Sequence, residues 1–70
     1  MSARDYAARA DILAEKAQTM WHAGTWLDAA HLYQIAMQTV VDESKATEYR
    51  GAAQWCNDQA CVVQQSYGIA

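Results

Sequence analysis

Seventy residues carrying five Lys or Arg against eight Asp or Glu give a net charge of −3 and a pI near 5.0, and this length leaves room for one small domain, residues 1–70. The apolar share is 53%, but fifteen of those residues are Ala, so the core is thin, and chains below about 70 to 80 residues usually lean on disulfides, a metal or a partner chain. The five cations, Arg4, Arg9, Lys16, Lys45 and Arg50, never cluster, which argues against a nucleic-acid footprint and against a polybasic membrane contact.

No Pro and only three Gly point to helix throughout. Helix one is expected over about 4–23. Ser2 caps it, with Asp5 completing a weak capping box, and Tyr6, Ala10, Leu13, Ala17 and Met20 form its apolar stripe. His22 is expected at the C-terminal end, where the helix dipole suits a partial positive charge, and Gly24 just beyond as the closing glycine. Helix two is expected over about 26–42, opened by Thr25 as N-cap. Its stripe is Trp26, Ala29, Tyr33, Ala36 and Val40, with Ala30, Met37 and Val41 beside it and Leu32 and Ile35 on another side. A helix apolar around so much of its circumference suits the centre of a bundle.

Continuing that stripe past Val40 puts Glu43, Thr47 and Arg50 on the core face, so a turn is expected near Ser44. With no Gly or Pro between them, helices two and three read alternatively as one rod. The third helix, about 46–66, has the seam Tyr49, Ala53, Cys56, Ala60, Val63 and Tyr67 and frays at its end. Trp55 and Val62 lie off the seam, seven residues apart. Gly51, in the interior, costs about 1 kcal/mol against Ala or marks a close approach. The fold class is therefore an all-α antiparallel three-helix bundle, its small seam residues letting helix axes approach closely.

The segment from Gly24 to Met37 carries Gly24, Trp26, Ala29, Tyr33 and Ala36 at the spacing of a tetratricopeptide-repeat packing signature, and it resembles the turn and second helix of such a repeat. Leu13, Ala17 and Met20 fit the first-helix positions. Lys16 stands where that repeat has a large apolar residue, and the closing Pro after Met37 is missing. A hairpin of this kind followed by a third helix is similar to a microtubule-interacting and trafficking (MIT) domain. The resemblance implies a module that binds helical or extended peptide segments, with no catalytic residues. Leu13, Ala17, Gly24, Trp26, Ala29, Tyr33 and Ala36 then define the fold.

Little else in the chain points to chemistry. His22 and His31 share no metal-ligand spacing with each other or with the cysteines, and Cys56 reads as a small buried apolar residue rather than a nucleophile. Cys56 and Cys61, about 7.5 Å apart along one helix and about 140° around it, are poorly placed to bridge. A reduced, cytoplasmic setting is therefore expected, with no export signal, membrane span, metal or cofactor.

Three Trp in seventy residues is dense for a core this small, and Trp is favoured at binding hot spots. Trp21, Leu32, Ile35, Trp55 and Val62 are the candidate protein-binding residues. The expected function is a non-enzymatic interaction module, a small acidic regulator or inhibitor docking on a larger protein. One alternative is a homodimeric assembly protein without a separate client. A nucleic-acid-associated or DNA-mimicking protein comes last, since eight dispersed carboxylates are a sparse imitation of a phosphate backbone.

Overall fold

The computed structural model describes residues 2–68. Three helices follow in order, α1 (Ala3–Met20), α2 (Ala23–Thr39) and α3 (Glu43–Gly68). The connections are of two and three residues, so each helix runs antiparallel to the one before it. Cross-helix pairs agree with this register: Tyr33 meets Asp11, each about ten residues from the α1–α2 turn, and Trp26 meets Trp55 at a like distance from the second turn. α2 packs against both neighbours, whereas α1 and α3 make only marginal contact. The result is an elongated all-α bundle of 44 × 17 × 12 Å, its long axis matching the roughly 39 Å expected of a 26-residue helix.

The start of α1 follows the expected chemistry. Ser2 Oγ accepts from the Asp5 amide and the Asp5 carboxylate accepts from the Ser2 amide. The Ser2 amide first, and then the Ser2 hydroxyl, which also donates to the Asp5 carboxylate, lower the Asp5 pKa. The box therefore acts at neutral pH and loosens as pH falls through the carboxylate range.

Both connections differ from expectation, for local reasons. Helix one stops at Met20, and Trp21 rather than a glycine takes the left-handed conformation (φ 52°, ψ 54°), its amide bonding to Ala17 O at 2.8 Å. A bulky residue there carries about 1 to 2 kcal/mol of strain. His22 is the N-cap of α2, not a C-terminal residue of α1: its Nδ1 accepts from the Thr25 amide at 3.2 Å, displacing Thr25 from the capping role. Gly24 is helical and serves by its lack of a side chain, since a Cβ there would lie 2.9 Å from the His22 ring.

The second connection comes at Val40–Asp42, earlier than Ser44, and it rules out a single continuous rod. Val40 is extended, Val41 is 97% exposed rather than beside the core, and Asp42 Oδ1 accepts from the Ser44 amide at 2.9 Å. Asp42 O also receives the Ala46 amide, so α3 begins at Glu43, three residues before its expected start.

Nine of the thirteen buried core residues are Ala, the others being Trp26, Tyr33, Cys56 and Val63. On α2 the buried set contains Trp26, Ala29, Tyr33 and Ala36, and on α3 it contains Ala53, Cys56, Ala60 and Val63, with Tyr49 packed against it. Tyr67, also assigned to that seam, lies outside the residues whose side chains are described. On α1 the seam is rotated: Ala7, Ala10, Ala14 and Ala17 are buried, Tyr6 and Leu13 are half-buried beside them, and Met20 is 59% exposed. The narrowest side chains take the contact line because α2 approaches closely there.

Two tests follow. Ala29→Leu or Ala36→Leu, each adding bulk at a fully buried position, lowers stability by about 1 to 3 kcal/mol in urea unfolding; unchanged midpoints would mean that α1 and α3 do not close on this face. Gly24→Ala alone displaces the His22 ring and gains little. In a His22→Ala background the same change stabilises by about 0.5 to 1 kcal/mol, a non-additivity that a double-mutant cycle reads directly.

Candidate interaction surface

α3 presents an apolar flank on a rigid element, built around an aromatic side chain. Trp55 is 44% and Val62 45% exposed, and seven residues of helix bring them to the same flank. Asp58 stands between them and Gly51 one turn before Trp55, both exposed. A Cβ on Gly51 would meet nothing within 4 Å, so no close approach within the chain explains that glycine.

Trp55 is anchored on its inner side. Its ring meets Trp26 edge-on with centroids 5.0 Å apart, a geometry that adds about 0.5 to 1.5 kcal/mol beyond burial. Trp26 is fully buried and its Nε1 has no hydrogen-bond partner among the described residues. Leaving that donor unpaired costs about 1 to 3 kcal/mol, which the burial of the largest fully enclosed side chain in a mostly alanine core offsets.

The other candidates fall elsewhere. Trp21 is 42% exposed in the α1–α2 turn. Leu32 is half-buried and packs against the core, and Ile35 is also half-buried. The exposed face of α2 carries Leu27, His31, Gln34 and Gln38. Leu27, at 43% exposure, was not singled out from sequence because it sits beside Trp26 without a repeat partner of its own. α1 has a further apolar flank, where Ile12 (62% exposed) and Met20 line a shallow depression of about 350 Å³ with Glu15, Lys16 and Thr19. A second depression, about 410 Å³, lies where Ala3 and Arg4 meet Val40, Lys45 and Tyr49.

Charge is unevenly spread over these surfaces. All five cations lie on α1 or in α3 up to Arg50, while α2 carries Asp28 alone and α3 beyond Arg50 carries Asp58 alone. Depletion of charge around exposed aromatics is the compositional mark of an interface centre. Among the described residues no group of three His, Cys, Asp or Glu side chains converges as a metal site would need, and no helix is long and apolar enough to cross a membrane.

A polar link joins α1 to α2. The Tyr33 hydroxyl, mostly buried, donates to the Asp11 carboxylate. Burial first, then this bond and the Asp11 charge, raises the Tyr33 pKa well above the ordinary phenol value. Burial and the same carboxylate push the Cys56 thiol up to about 11, so it is a protonated thiol at neutral pH. Asp11 and Tyr33 are 22 residues apart in sequence, and only the α1–α2 register brings them together.

No family model, curated protein or solved structure matches this chain.

Because both groups keep their protons in the fold where the unfolded chain releases them, stability falls as pH rises past the ordinary thiol value of 9.0 and phenol value of 10.0. Urea midpoints measured from neutral pH upward should hold level and then decline. Tyr33→Phe and Cys56→Ala should each make that decline shallower; a slope indifferent to both would place the two groups in solvent.

Proposed function

We propose that the protein is a non-enzymatic interaction module, a small acidic cytoplasmic regulator that docks on a larger protein through the α3 flank of Trp55 and Val62. The observation carrying this reading is a half-exposed Trp locked edge-on against a buried Trp, on a surface from which all five cations are missing. A pre-positioned aromatic loses little conformational freedom on binding, which is why such side chains act as hot spots. The all-α hairpin with a third helix packed on its second helix also fits the tetratricopeptide-like and MIT-like architecture suggested by Gly24, Trp26, Ala29, Tyr33 and Ala36, and modules of that architecture accept peptide segments. The raised Cys56 pKa supports a structural rather than nucleophilic cysteine.

Capture of partners from the native host with the immobilised protein tests this. Val62→Ala and Trp55→Ala should each lower recovery of a specific partner at least tenfold with the helical circular dichroism retained, whereas Val41→Ala, in the exposed second connection, should leave it intact. Equal recovery by all three variants would remove the α3 flank from the function.

A further inference from the structure

α2 is covered by a helix on each side, while α1 and α3 are each covered on one side only, so two helical flanks remain open. Their make-up is complementary. On α1, Ile12 and Met20 stand eight residues apart with Lys16 midway, and they border the depression already described. On α3, Trp55 and Val62 stand seven residues apart with Asp58 between them. At 1.5 Å per residue the apolar pairs are spaced about 12 and about 10.5 Å; Asp58 lies between the α3 pair, and Lys16, with Glu15 beside it, between the α1 pair. Neither Lys16 nor Asp58 has an ion-pair partner among the described residues, where the Lys45–Glu48 pair is the one salt bridge.

We infer that, with no client bound, the α3 flank of one copy docks on the α1 flank of a second copy, with Trp55 and Val62 set beside Ile12 and Met20 and Asp58 against Lys16. A net charge of −3 on each copy opposes indiscriminate self-contact, so a contact between copies needs a cation placed against a carboxylate, and this register supplies one. Gly51 leaves the approach beside Trp55 open to the incoming helix. Because the two flanks differ, a contact made once leaves a free flank at each end and extends as an open series, and made twice between the same two copies it closes a twofold dimer. The inference rests on the α3 face proposed above and goes beyond it by naming what covers that face.

Sedimentation of the full chain over a concentration series tests it by charge exchange. The wild type should gain mass with concentration, while Lys16→Glu and Asp58→Lys, both at exposed positions, should each sediment as monomers with unchanged helical signal. An equimolar mixture of the two variants should associate again, since the introduced glutamate and the introduced lysine face each other and the native pair forms at the alternate contact. A wild type that is monomeric at every concentration overturns the stacking and leaves client docking to its own test. Single variants that associate like the wild type, or a mixture that stays monomeric, overturn the pairing of these flanks.

Discussion

The close approach of alanine-lined helices around one buried indole is the constraint from which the rest of this structure follows. Nine buried alanines bring the helix axes together but fill little volume, and Trp26 is the largest side chain fully inside. Its burial is secured even with an unpaired indole N–H, because a gap at that position would forfeit more dispersion and apolar burial than the lost hydrogen bond. α1 and α3 barely meet. Each packs on α2 instead, and the outer flanks stay open.

The seams of α2 and α3 were legible from sequence because their buried positions alternate by three and four and include the bulky markers Trp26, Tyr33, Cys56 and Val63. α1 was legible in part: Ala10 and Ala17 of its expected stripe are fully buried, while its larger residues misdirect. Its large residues, Tyr6, Leu13 and Met20, are spaced as a stripe, yet the true contact line is Ala7, Ala10, Ala14 and Ala17. Where contacts are set by how near a neighbouring backbone comes, the smallest residues mark the interface and the larger ones flank it. The first turn misled in the same way. Gly24 has the look of a left-handed closing residue, but here it makes room for a histidine ring that caps the next helix, while Trp21 takes the strained conformation.

The candidate surface was half legible. Trp55 and Val62 share a flank by spacing alone, and sequence placed them off the seam. Leu32 and Ile35 were grouped with them because α2 is apolar on several sides, yet a central helix uses more than one side for packing. The depression beside Ile12 and Met20 is hidden in the sequence because Met20 continues the spacing of the apolar stripe. The Asp11–Tyr33 link carries no local pattern at all, since it arises from register between helices.

Trp55 belongs to both the core and the surface, and this shapes how the two communicate. Its ring stands perpendicular to Trp26 while nearly half of it faces outward, so anything that docks there also presses on the contact with the buried indole. Ligand binding to the folded state stabilises it by mass action. Here the gain would be felt at the Trp26–Trp55 contact, which joins α2 to α3 far from either end of the chain. Occupation of the flank should therefore tighten the α2–α3 packing more than the α1–α2 hairpin, whose own cross-link is the Tyr33–Asp11 bond. Val62 and Asp58 share the flank but stand outside the buried core, so substitutions there separate recognition from folding, which Trp55 alone does not.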